Sequence, residues 1–269
     1  MKPLYVLKIG GSVATHKNRT GFSVRRSQLR KVAQQIGGAM KKADFQLILI
    51  HGAGGFGHAL AKEYGLKEGT GKNKQKLKGA LLSRIANQQL DHAIAEILVA
   101  EGLPVVPVHT ASVILQNDHK IDFFDIAAVK EALEQGCIPL LYGDMVFDKK
   151  LGMTVCSGDS IAPYLAEKLG ATKMFFASDI DGVFTQDPYV FRGTQLIEKV
   201  LMGDLFKNTK ISQSHNVDVT GGLFGKIQKM NSLKGSAVQS IEIFNGFDAD
   251  NYKKILLNKN FPHTQIFFK

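Results

Sequence analysis

Short apolar runs recur along the chain, separated by longer stretches in which apolar positions repeat every three or four residues. The runs at 4–9, 47–51, 104–109, 138–142, 173–178, 240–244 and 265–268 are mostly continuous, not alternating. Strands read that way when both of their faces are covered. Between them, 26–42, 81–101, 124–135, 160–169 and 225–233 carry helical spacing. In the second of these, Leu82, Ile85, Ala86, Leu90, Ile94, Ile97 and Leu98 mark one stripe. Strands alternating with helices predict an α/β fold, a three-layer αβα sandwich around a mainly parallel sheet. Residues 143–153 and 182–194 read as hairpin or loop excursions, with Pro188 excluding a helix from the second. No repeat and no linker rich in Pro, Gly or Ser interrupts the pattern. The 269 residues are therefore read as one domain, with a boundary near residue 170 between two lobes, about 1–170 and 171–269.

Composition narrows the function classes. With 44% hydrophobic and 22% charged residues, the chain is ordinary globular protein, large enough to bury a core without disulfides. Cys137 and Cys156 lack a CxxC spacing and are read as reduced thiols in a reducing compartment. The first apolar run is too short for a signal peptide, and no run approaches the roughly 20 residues that span a bilayer. A soluble, cytoplasmic protein is expected. The net charge of +10 suits anionic partners. Its densest cluster, residues 67–78, holds five lysines but no interleaved aromatics. It reads as a solvated loop, so nucleic acid is not indicated, and a small phosphorylated ligand accounts for the sign.

Three glycine-rich stretches carry the chemistry. Lys8-Ile9-Gly10-Gly11-Ser12 follows the first run directly. Glycines at a strand's carboxyl end let the backbone approach a phosphate, and their N–H groups form an anion-binding concavity. In an open α/β sheet, ligands sit at that edge. The Walker spacing GxxxxGK[ST] is absent, and alone this stretch serves equally as a tight turn. His51-Gly52-Ala53-Gly54-Gly55-Phe56-Gly57-His58 follows the second run, with four glycines in six positions, more than a turn requires. It predicts a phosphate site opening a helix from Ala59, with His58 in the first turn. The alternative is an ordinary capping or surface histidine. Ser157-Gly158-Asp159-Ser160 heads a helix, where Asp159 either caps it or adds a carboxylate to a site. Ser178-Asp179-Ile180-Asp181-Gly182 is a strand running into an acidic turn, and residues 218–226 form the third glycine-rich opening of a helix. Nothing matches GxSxG or HExxH.

In this order, and with Tyr142-Gly143-Asp144 between them, the motifs resemble the amino acid kinase superfamily from Lys8 to Lys226. Within it, the histidine closing the second glycine loop and the segment 218–226 are similar to those of the isopentenyl phosphate kinases. Fosfomycin-resistance kinases are similar too and carry the histidine. The resemblance implies direct in-line transfer of a phosphoryl group from ATP, with Mg2+, to isopentenyl phosphate, giving the diphosphate in isoprenoid biosynthesis by the alternate mevalonate pathway. By the same resemblance Lys8 and Lys226 bracket the transferring group, Lys17 stabilises its transition state, and Asp159 orients the flanking lysines. Gly10, Gly11, Ser12 and Gly54 would line the ATP phosphates, with Asp179 and Gly222 on the nucleotide side. Ala53, His58 and Gly158 would hold the acceptor phosphate. No residue is assigned as a metal ligand. Lobe 1–170 would take the acceptor and lobe 171–269 the nucleotide, in a homodimer with no nucleic-acid or membrane partner. The acceptor's apolar tail is expected against the helical stretches 80–98 and 122–135. One departure is visible: Ala53 and Gly55 stand where the family usually has Gly and Ser. The competing readings are a fosfomycin or nucleoside-monophosphate kinase of this fold and a non-catalytic ATP-binding protein. Retention of Lys8, Lys17, Asp159 and Lys226 argues against the last.

Overall fold

A computed structural model describes residues 2–16, 23–205 and 222–268. In chain order the elements begin with β1 (Leu4–Ile9), a single turn α1 (Gly11–Ala14), α2 (Arg26–Met40), β2 (Gln46–His51) and α3 (Gly54–Glu63). There follow α4 (Lys74–Ala100), β3 (Val105–Pro107), α5 (Thr110–Val113), β4 (Ile114–Asn117), β5 (Lys120–Phe124) and α6 (Ala127–Glu134). Next come β6 (Ile138–Tyr142), β7 (Asp144–Asp148), β8 (Gly152–Cys156), α7 (Gly158–Lys168) and β9 (Lys173–Ser178). The last are β10 (Lys199–Leu201), α8 (Met202–Leu205), α9 (Gly222–Lys229), β11 (Ser240–Asn245), α10 (Asp250–Leu256) and β12 (Thr264–Phe267).

Among the described residues, eight strands form the main sheet in the order β10-β12-β11-β9-β1-β2-β6-β3, parallel throughout except for the β11–β12 pair. A second sheet, β5-β4-β7-β8, stands beside it. Because side chains alternate across a strand, β1 feeds two cores. Leu4 and Val6 pack with Ile161 and Leu165 of α7, whereas Tyr5, Leu7 and Ile9 pack with Leu29 and Ile36 of α2, Leu90 and Ile94 of α4 and Ile255 of α10. This makes three layers, and the same alternation sends Lys8 to the α7 side. The predicted α/β sandwich is the observed fold. Among the described residues no helix is long and apolar enough to cross a membrane.

Local expectations fail in three places. Residues 74–78 are not loop but the first turn of α4, which Asn73 caps by accepting hydrogen bonds from the Gln75 and Lys76 amides. Leu82 and Ile85, read as part of a core stripe, are exposed, because Gly79, Ala80, Ser83 and Asn87 take the buried face at that end of the helix. Helix α3 begins at Gly54 instead of Ala59, so the glycine stretch is itself the first turn.

Candidate functional site

At the carboxyl ends of β1, β2 and β9 a cavity of about 590 Å³ opens. It lies where the parallel strands deliver two glycine-rich turns side by side. Ile9 is in register with His51, so the chain leaves both strands at the same level. The turns then meet backbone to backbone: a β-carbon on Gly11 would stand 2.7 Å from Gly54 Cα, and one on Gly52 would stand 2.9 Å from the Gly11 amide nitrogen. Any side chain there would push the turns apart. Gly54 is also held at φ +59°, a left-handed conformation that favours glycine.

Lys8 ends the α7-facing row of β1 and donates a hydrogen bond to Asp159, the second residue of α7. Both are buried, at 7% and 4% exposure. Burial alone would raise the Asp159 carboxyl, but the ammonium groups of Lys8 and Lys226, with the Lys8 hydrogen bond, hold it below the usual carboxylate range. Burial pulls the Lys8 ammonium down, opposed by Asp159 and reinforced by Lys226. Gly158 is small for a reason: a β-carbon there would crowd Ile50 Cγ2 at 3.1 Å and Lys8 Cε at 3.2 Å.

Of the sequence-derived residues, Lys8, Gly10, Gly11, Ser12, Ala53, Gly54, His58, Gly158, Asp159, Asp179 and Lys226 all line this one cavity. Gly222 opens α9, the helix that carries Lys226. Lys17 falls outside the described residues. Ala53 has φ −61°, so alanine occupies the family's glycine position without strain. His58 lies in the second turn of α3, one turn later than expected. The 80–98 stretch contributes Ser83 and Asn87 to the lining. The 122–135 stretch contributes none, because Val129 and Leu133 of α6 pack into the core on the α7 side.

Two groups were given no role in the sequence reading. Lys229, one helical turn after Lys226, donates hydrogen bonds to Ser157 Oγ at 3.1 Å and Ser160 Oγ at 3.2 Å. Its charge reaches the Lys8–Asp159 pair. The i, i+3 spacing from Lys226 was the available signal. Asp144 also lines the cavity, accepting from Asn87 Nδ2 at 2.9 Å, and burial pushes its carboxyl up to about 6. Cys156 is a buried free thiol whose pKa burial pushes up to about 12, which leaves it inert.

Among the described residues no group of three or more His, Cys, Asp or Glu side chains could hold a metal ion. The site offers lysines and glycine-rich backbone that can bind and stabilise phosphate oxygens, and of its carboxylates Asp159 is paired with Lys8.

Residues 3–245 match the Amino acid kinase family. The chain is 31% identical to the isopentenyl phosphate kinase of Methanothermobacter thermautotrophicus, over 98% of each chain. It is 33% identical to that of Methanocaldococcus jannaschii, over 95% of this chain and 96% of the relative. A solved isopentenyl phosphate kinase structure superposes with a TM-score of 0.83 at 29% identity, covering 98% of this chain and 99% of that one.

Proposed function

The chain belongs to the amino acid kinase family, and from that premise we propose that it transfers the γ-phosphoryl group of ATP to isopentenyl phosphate, yielding isopentenyl diphosphate and ADP. The observation that carries the chemistry is the Lys8–Asp159 pair, buried between the strand ends of two glycine turns with Lys226 lining the same cavity. Two relatives that align over nearly the whole chain carry the substrate assignment. They favour it over fosfomycin, a nucleoside monophosphate or silent ATP binding.

A monophosphate has a second pKa near ~6, so at neutral pH the acceptor is already largely the dianionic nucleophile. No general base is needed, and a free carboxylate beside that oxygen would repel it. The obstacle is bringing two polyanions together. In this reading Lys8 and Lys226 flank the transferring group and Lys17 adds a third charge, while Asp159 fixes the lysines by taking the Lys8 hydrogen bond. Gly11, Ser12 and Gly54 present N–H groups to the ATP phosphates, while Gly10, whose own N–H donates to the Ala177 carbonyl, lets the turn come close to them, with Asp179 and Gly222 on the nucleotide side. Ala53, His58 and Gly158 hold the acceptor phosphate. The work is positioning and charge stabilisation. Magnesium enters as part of the nucleotide substrate, held by its phosphates.

The sheet order supports a division of labour. Strands β9 to β12, from residues 171–269, lie on one side of β1, and β2, β3 and β6 lie on the other. The first group would form the nucleotide lobe and the second the acceptor lobe. We place the enzyme in the cytoplasm as a homodimer. Exposed Leu81, Ile85, Phe123 and Phe147 supply apolar surface for a second copy to cover.

A coupled ADP-release assay with isopentenyl phosphate, dimethylallyl phosphate, fosfomycin and UMP tests the reading. The two isoprenoid phosphates are expected to give the higher kcat/KM. A preference for fosfomycin or UMP would overturn the substrate while leaving the kinase assignment standing.

A further inference from the structure

Helix α3 has no N-cap of its own. Its N-cap position is Ala53, which has no side-chain oxygen to accept an amide of the first turn. An uncapped first turn leaves backbone donors without partners. The missing acceptor comes from another segment: Thr15 Oγ1 accepts the Gly55 N–H at 3.1 Å, and Gly55 is the second residue of α3, where a capping oxygen normally binds. The same hydroxyl donates to the Gly11 carbonyl at 2.8 Å, and the Thr15 amide donates to that carbonyl at 3.0 Å. Its proton is therefore committed to Gly11, and its lone pair is aimed at Gly55. Thr15 is fully buried, and it packs so tightly against Gly54 that a β-carbon there would stand 2.5 Å from Thr15 Oγ1.

We propose that Thr15 is a positioning residue that caps α3 from outside and locks the first glycine turn to the second. Resting on the phosphotransfer reading above, this assigns it the spacing between the nucleotide-side and acceptor-side phosphate sites. With the Gly55 N–H tied down, the first turn of α3 is held at a fixed distance from Gly11 and from the end of β1. The remaining first-turn N–H groups are then preorganised for an anion.

The test compares Thr15→Val, which keeps the shape and loses the hydroxyl, with Thr15→Ser, which keeps the hydroxyl and loses the methyl. Both are assayed with isopentenyl phosphate and ATP, alongside amide hydrogen exchange at Gly55 by NMR and a thermal midpoint. The cap predicts a kcat lower by roughly tenfold or more in Thr15→Val with a raised acceptor KM. It predicts fast Gly55 exchange in that variant, with Thr15→Ser close to wild type in both. The reverse ranking, with Val active and Ser impaired, would make Thr15 a packing residue and overturn the proposal, as would unchanged Gly55 exchange in Thr15→Val. If Thr15→Val does not fold, loss of activity in Thr15→Ser with Gly55 still protected is equally fatal. A wild-type enzyme that turned over none of the acceptors would defeat the phosphotransfer reading and the positioning role built on it. The exchange ranking would then decide the cap alone.

Discussion

Lys8 and Asp159 are 151 residues apart in sequence, yet the Lys8 ammonium donates directly to the Asp159 carboxylate in a buried contact. Parallel pairing of β1 with β9 and the crossing of α7 over β1 bring them together. A lone carboxylate at this depth would be costly, and its partner explains why Asp159 is held ionised.

This pair separates a cap from a charge. Asn caps a helix about as well as Asp, so a structural Asp159 would tolerate Asp159→Asn. If it fixes the lysines by charge, that variant should keep its thermal midpoint within a few degrees and lose kcat by about 10²-fold or more. Near-wild-type turnover in a folded protein would reduce Asp159 to a helix start.

The lysines should rank by their approach to the pair. Lys8→Ala and Lys226→Ala are expected to lower kcat on the order of 10²-fold or more, and Lys17→Ala likewise. Lys72→Ala and Lys74→Ala, both exposed at the start of α4, should leave steady-state kinetics unchanged. Lys229→Met keeps the apolar stem but loses the two serine contacts that tie α9 to the head of α7. An intermediate loss in kcat of roughly threefold to thirtyfold is expected there. A Lys229→Met enzyme indistinguishable from wild type would make that tie incidental.

How far these arrangements were legible in the sequence depends on what enforces them. The glycine turns could be read because backbone contact excludes every other residue: Gly10 itself would clash with the Ala177 carbonyl at 2.7 Å if it carried a β-carbon. Strand positions followed from continuous apolar runs buried on both faces. The β4–β5 hairpin gave no such signal, since its turn uses Asp118 at φ 55° and His119 at φ 63° where glycine or asparagine would advertise a reversal. The Asp148 carboxylate accepts both of their amides and supports that turn from the neighbouring strand β7, about thirty residues on in sequence. Thr15 was silent for the same reason. A cap supplied by a residue 40 positions away has no local signature.

A second buried cluster links stability to pH, away from the cavity. Glu242 accepts Lys173 Nζ and Ser240 Oγ, both at 2.9 Å, and its other oxygen lies 3.5 Å from His263 Nε2. Burial opposes ionisation of Glu242, but His263, Lys173 and Ser240 together lower its pKa from 4.5. That stability is present above 4.5 and is lost as pH falls through the lower folded value. Burial likewise opposes the charged form of His263, but Glu242 and the Phe261 carbonyl raise its pKa above 6.5. Its contribution is complete below 6.5 and lost as pH rises through the folded value. Thermal midpoints should thus show this cluster strongest between 4.5 and 6.5. His263→Gln should abolish the alkaline decline and, because His263 helps hold the Glu242 pKa down, move the acid decline to higher pH; an unchanged alkaline limb in that variant would place the titration elsewhere.

His58 divides acceptor from nucleotide handling. It lines the cavity from the second turn of α3, beyond the first-turn amides and close in sequence to Ala53, which has the helical geometry to present its own N–H. A histidine so placed donates best to a phosphate when protonated. His58→Ala should therefore lower kcat and raise the acceptor KM, while leaving the dissociation constant for ATP within about twofold, since charge-assisted donors act locally. His58→Gln keeps a donor without the titration. It should recover part of kcat. Isothermal titration with a non-hydrolysable ATP analogue, set beside steady-state kinetics on isopentenyl phosphate, reads both halves. Weakened nucleotide binding with an unchanged acceptor KM would move His58 to the nucleotide side.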